Sequence, residues 1–163
     1  MEKKMNNKGF SLVELIIVVA IMAVLIGVLA PAYLQYVEKS KKTTDASAIG
    51  SVLDAIEIVA ADPAIDWVAG ASTAKTITIS SSAVASYDSY GTDKVLEAID
   101  KIADGSKTKL TGSWGKIVFK AEKQANGTVI FTIDGTNSSI KKNGGTEGYN
   151  LEEISKPLAA RFE

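Results

Sequence analysis

Glu14 is the residue whose type and place most invite chemistry. It is the only strongly polar side chain between Leu12 and Leu34 and stands at the mouth of the apolar run Leu15 to Ala30. A carboxylate at the edge of a hydrocarbon-soluble segment is costly, so it implies a function and a partner. Directly before it comes Lys8-Gly9-Phe10-Ser11-Leu12-Val13, with Lys3 and Lys4 further upstream.

Much other chemistry is excluded by composition. The chain of 163 residues has no Cys and no His. Thiolate nucleophiles, disulfides and zinc sites built on those residues are therefore absent, as is the usual general base near neutral pH. No cofactor is expected. The formal net charge is −1, and the lysines before Phe10 outnumber the acids there, so the rest of the chain is more acidic still. Such a chain is a poor candidate for nonspecific nucleic-acid binding, which runs on clustered positive charge.

The remaining loop motifs are weak. Gly105-Ser106-Lys107-Thr108 lacks both the Gly-Lys pair and the earlier glycine of a phosphate loop. Asp134-Gly135-Thr136-Asn137 carries oxygen ligands at close spacing, but the terminal position of a calcium loop would be Gly145 rather than Glu. A plain turn is the better reading there. Asn126-Gly127-Thr128 and Asn137-Ser138-Ser139 match the glycosylation triplet, yet both coincide with turn signals where Asn belongs anyway. Trp67 and Trp114 read as core anchors. No constellation of nucleophile, base and electrophile support emerges, so the chain is not expected to be an enzyme.

These residues need elements to hold them. A membrane span needs about 20 apolar residues, and the segment from Leu12 to Leu34 meets that need. The basic stretch lies before it, and no small-residue cut site follows it, so this is not an ordinary secretory signal. Lysines flank both ends, which leaves orientation by the positive-inside rule close to a tie. Pro31 lacks an N–H and predicts a kink or local opening, with Gly27 weakening the turn before it. Beyond it, Ile49, Val52, Leu53, Ile56 and Ala60 recur at helical spacing, with Asp45, Asp54 and Glu57 placed mostly elsewhere on the wheel. Asp62-Pro63 should end the helix, for a length on the order of 75 Å at 1.5 Å per residue.

The head that follows has mixed structure. Ala64 to Tyr90 reads as a connecting loop with one short strand at Thr76 to Ser80. Thr92 caps a helix striped by Val95, Leu96, Ile99 and Ile102 and ending at Asp104-Gly105. Ile117, Phe119 and Ala121 alternate with Lys116, Val118 and Lys120, Ala125-Asn126-Gly127 signals a hairpin, and Val129, Phe131 and Ile133 alternate with Thr128, Ile130 and Thr132. A short strand at Ser138 to Lys142 comes next, then a helix start at Asn150 ended by Pro157. The expected fold is α+β: a long N-terminal helix, half membrane-spanning and half amphipathic, packed against a head of three or four antiparallel strands.

The N-terminal residues resemble the processing site of type IV prepilins. Gly9, Phe10, Ser11, Leu12 and Glu14 match that motif position by position, and Pro31 sits where many members carry a helix-bending proline. The likeness covers about the first thirty residues; beyond Pro31 it is one of architecture. It implies the type IV pilin fold, with residues 1–9 a leader peptide that is removed, 10–35 a transmembrane and fibre-core helix, and 36–163 the head. It also implies cleavage between Gly9 and Phe10 by a prepilin peptidase, which also N-methylates Phe10, and an N-terminus that begins in the cytoplasm. The new amine on Phe10 and Glu14 of a neighbouring copy would then pair and set register, because a buried charge left alone is strongly unfavourable. Pro31 would allow a flexible stretch that lets helices pack into a fibre core. The implied partners are further copies in a helical filament, the peptidase and methyltransferase, an assembly platform with its ATPase, and the cytoplasmic membrane before assembly on the cell surface. Adhesion, twitching motility and biofilm formation are the associated roles. The alternatives are a pseudopilin of a type II secretion system, a competence pilin for DNA uptake, or, in another class, a membrane-tethered enzyme or binding module.

Overall fold

In the computed structural model, residues 10–67, 74–80, 94–104, 108, 110–112, 114–142 and 149–163 are described. The chain divides into two compact units, one ending at Val37 and one running from Glu38 to Glu163. Helix α1, Leu12–Ala61, contributes to both.

In the first unit α1 is long and apolar enough to cross a membrane by length and composition. Every residue from Leu12 to Tyr36 is exposed, including Leu15, Ile16, Ile17, Ile21, Leu25 and Leu29. Helical structure carries on through Pro31. The helix ends at Ala61, just before the Asp62-Pro63 pair that disfavours its continuation. Asp62 then closes a turn, its Oδ1 accepting the Ala64 N–H at 2.8 Å.

The second unit is organised around the later half of α1. Ile49, Val52, Leu53, Ile56, Val59 and Ala60 are buried there, the i, i+3, i+4 stripe that the sequence spacing marked. Strands β1 (Ala74–Ser80), β2 (Lys116–Lys123) and β3 (Val129–Ile133) form an antiparallel sheet in that order. The register sets Ile77 opposite Phe119 and Ala121 opposite Phe131. The inward set Ile77, Ile79, Ile117, Phe119, Ala121 and Phe131 belongs to the core, while Lys116 and Lys120 point out to solvent. Phe119, Phe131 and Phe162 meet edge to face, with ring centroids 5.5 to 6.3 Å apart. Such pairs contribute about 0.5–1.5 kcal/mol beyond the area they bury.

Helix α2 (Lys94–Ala103) buries Val95, Leu96 and Ile99, but Ile102 is exposed. Asp104 ends it in the left-handed region at φ 49. Thr92, the expected cap, lies outside the described residues, as do Gly105 to Lys107.

The C-terminal third departs from the expected pattern in two ways. The fourth strand, β4 (Ile140–Lys141), does not extend the antiparallel sheet but pairs in parallel with β5 (Tyr149–Asn150) in a separate two-stranded sheet. Pro157 does not end the final helix. Asn150 caps α3 (Leu151–Ile154), and Ser155 closes it and opens α4 (Lys156–Ala159), which has Pro157 in its first turn. A proline is tolerated there because its missing N–H would have no partner anyway. The chain end is tied to the sheet: the Glu163 N–H donates to the Phe131 carbonyl at 2.9 Å. Arg161 reaches α1, its Nη1 2.7 Å from Asp54 and its Nη2 2.8 Å from Glu57. Burial works against its charge, but those hydrogen bonds and carboxylates outweigh it and raise the guanidinium pKa.

One buried charge was not foreseen. Asp45 is 1% exposed, lying one turn before Ile49 on the inward face rather than on the solvent side of the wheel. Its Oδ1 accepts from the Thr111 N–H at 2.7 Å and the Thr111 hydroxyl at 2.8 Å. Its Oδ2 accepts from the Gly112 N–H and the Trp114 indole N–H, each at 2.7 Å. The loop can approach this closely because residue 112 is glycine: a Cβ there would sit 3.2 Å from Asp45 Oδ2 and 3.3 Å from Trp114 Cδ1. An ionised acceptor holding several N–H donors is stabilising, whereas donors left unmet in the interior are expensive. Asp45→Asn turns an amide nitrogen toward N–H groups and should cost about 1.5–3 kcal/mol, the range for hydrogen bonds to charged groups. Urea unfolding of the detergent-solubilised chain, followed by tryptophan fluorescence, measures that loss.

Candidate assembly site

The first turn of α1 explains itself locally. Ser11 precedes the helix and Glu14 stands three residues on, an arrangement that lets a Glu side chain reach back to the N-cap backbone. Glu14 Oε2 accepts the Ser11 N–H at 2.9 Å, while the Ser11 carbonyl accepts the Leu15 N–H at 3.2 Å. Glu14 thus satisfies a donor that the helix start would otherwise leave to solvent and places negative charge at the positive end of the helix dipole. The Ser11-x-x-Glu14 spacing carried this signal in the sequence, but the apolar context drew attention to the charge and not to the cap.

That hydrogen bond fixes where the carboxylate lies. The Ser11 nitrogen belongs to the peptide group joining Phe10 to Ser11, so Glu14 sits beside the backbone immediately following Phe10. Phe10 is 90% exposed. Glu14 Oε1 has no hydrogen-bond partner among the described residues, leaving one oxygen for a cation. Gly9 lies outside the described residues. Pro31 is 17 residues along α1 from Glu14, about 25 Å at the helical rise, and takes no part in the first turn.

The other sequence candidates do not build a site. Both oxygens of Asp134 receive donors: Oδ1 from the N–H groups of Thr136 and Asn137 at 3.0 and 3.2 Å, and Oδ2 from the Asn137 amide at 2.9 Å. A carboxylate ringed by N–H groups is a turn, not a cation cradle. Among the described residues no group of acidic side chains is arranged to hold a metal ion. Trp67 and Trp114 are buried, as core anchors should be.

Residues 4–30 match the family model described as the prokaryotic N-terminal methylation motif. No curated protein and no solved structure matches the chain. The N-terminus is therefore a prepilin signal of the type IV pilin-like or pseudopilin class, whose motif family is structural rather than enzymatic. The long apolar helix followed by a small three-stranded antiparallel sheet is an α+β arrangement consistent with the type IV pilin fold.

Two outcomes are expected. In detergent micelles, Glu14→Ala should speed amide exchange in the first turn of α1, whereas Glu14→Gln should leave it near wild type, since glutamine also reaches back to the N-cap. For the turn, the hydrogen bonds from Asn137 and Thr136 hold the Asp134 carboxyl below its ordinary value of 3.8. A lowered folded-state pKa gives a contribution present above the unfolded value and lost as pH falls through the folded one. The difference in melting temperature between wild type and Asp134→Asn should therefore stay constant above pH 3.8 and shrink on further acidification.

Proposed function

We propose that this chain is the precursor of a type IV pilus subunit, cleaved between Gly9 and Phe10, N-methylated on Phe10 and polymerised through α1 into a surface fibre. The supporting observation is the uncovered apolar surface from Leu12 to Tyr36, with Glu14 at its start and a methylation motif laid over both. A span that only anchored a soluble head would use Glu14 for the helix cap alone. A span that must leave lipid and pack in register against copies of itself would use its second oxygen as well.

The proposed division of labour follows the chain. Residues 1–9 hold the precursor on the cytoplasmic side and are then removed by the peptidase, whose methyltransferase activity modifies the new amine. Residues 10–35 rest in the cytoplasmic membrane until a platform and its ATPase extract them. The remainder folds as the head outside. In the fibre, the free Oε1 of Glu14 meets the Phe10 amine of a neighbouring copy. Pro31 allows local opening of α1 where the packed helices need it. Adhesion, twitching motility and biofilm formation are the uses such a fibre would serve.

The cap and the clasp can be separated. Glu14→Gln retains the first turn but lacks the charge, so filaments should fall to a small fraction of wild type while the precursor is still processed and the head still folds. Electron microscopy of sheared cell surfaces, with immunoblotting of membranes for the mature chain, reads both. Normal fibres from the Gln variant would remove the ion pair from the account.

A further inference from the structure

The β2–β3 turn holds chemistry that assembly leaves unused. Its three-residue loop, Ala125 to Gly127, is closed by the Gln124 N–H on the Thr128 carbonyl at 2.8 Å and the Gly127 N–H on the Gln124 carbonyl at 2.9 Å. Gly127 is left-handed at φ +88, and nothing lies within 4 Å of where its Cβ would stand. A glycine in that region is the usual way a three-residue hairpin loop turns. Asn126 is exposed. Its Oδ1 accepts two hydrogen bonds from Thr128, from the N–H at 3.0 Å and from the hydroxyl at 2.7 Å. Its Nδ2 has no hydrogen-bond partner among the described residues.

We propose that Asn126 is a self-modifying site, converting to aspartate and isoaspartate through a succinimide, with Thr128 stabilising the charge that develops on Oδ1. The Gly127 nitrogen loses its proton to solvent base and attacks Asn126 Cγ. The new C–N bond pushes the carbonyl electron pair onto Oδ1, where the two Thr128 donors already point. Return of that pair breaks the Cγ–Nδ2 bond, and Nδ2 takes up a proton and leaves as ammonia. Water then opens one of the two imide C–N bonds. One water is consumed and one ammonia released, with no redox partner. Donors aimed at the atom that becomes an oxyanion favour the transition state over the ground state. Glycine at the attacking position presents no Cβ to obstruct the approach, and only one solvent-exposed turn hydrogen bond must open first.

The position gives the change a consequence. Isoaspartate adds a methylene to the main chain beside the last pair of the hairpin, Lys123 opposite Val129. It also brings a carboxylate next to Gly127 and Thr128, which with Glu57 and Val129 line a cavity of about 300 Å³. Glu57 is held there by Arg161. Asn137 provides the contrast. Its side-chain amide is committed to Asp134 at 2.9 Å, and the residue whose nitrogen would attack, Ser138, is buried and carries a side chain.

The test is timed incubation of the purified full chain in detergent at mildly alkaline pH, followed by peptide mass spectrometry with isoaspartate-specific cleavage. Asn126 should convert through a succinimide while Asn137 keeps its amide. Thr128→Val should slow conversion by about fivefold, the factor that one ordinary hydrogen bond supplies, and Thr128→Ser should restore it. In urea the three chains should convert alike. An Asn126 as durable as Asn137 would overturn the proposal. So would equal rates for the Val variant and wild type in the folded chain, or a Val effect that persists in urea.

Discussion

The constraint behind the rest of this molecule is the uncovered apolar surface of α1. From Leu12 to Tyr36 no side chain is buried within the chain. Fully burying one Val, Leu or Ile contributes about 1.5–3 kcal/mol, so a run of them cannot be left in water and must be covered by lipid or by other proteins. The head makes no comparable demand: from Ile49 onward it closes its own core with α1, the sheet, both tryptophans and the phenylalanine cluster. One chain thus has one self-sufficient unit and one that requires company.

What decides between lipid and company is not the apolar surface. Lipid tails are as apolar as leucine, so moving the helix from bilayer to bundle gains little from the hydrophobic effect, and association depends on packing and polar contacts. On the proposed reading, Glu14 supplies the direction of that exchange. At the membrane edge it is half-satisfied by the Ser11 N–H; beside the amine of another copy it would be paired. Asp45 shows the opposite solution within the same helix. Fully buried, it is met on both oxygens by N–H and O–H donors of Thr111, Gly112 and Trp114 and needs nothing from outside. Asp45 finds all its donors within the chain, whereas on the proposed reading Glu14 takes its second partner from another copy.

Much of this was legible in the sequence because the signals are local. The apolar run, the helical stripe from Ile49 to Ala60, the stop at Asp62-Pro63 and the Asn126-Gly127 hairpin each rest on neighbours a few residues apart. The misses are contacts that no local period encodes. Asp45 looked like a solvent-face acid because its donors lie some 66 to 69 residues away. The strand at Ile140 found a parallel partner at Tyr149 instead of joining the main sheet. Pro157 was read as a stop when the Ser155 cap made it a start. At the candidate site the residues were evident, but the hydrogen bond from Ser11 to Glu14 was overlooked because a carboxylate before a membrane span draws attention as a charge first.

The most direct test of the central claim is mass spectrometry of the N-terminal peptide from filaments sheared off the cell surface. The account predicts a peptide beginning at Phe10, heavier by a single methyl group, in particles recovered outside the membrane. A chain still carrying Met1 to Gly9, recovered only from the membrane fraction, would contradict it.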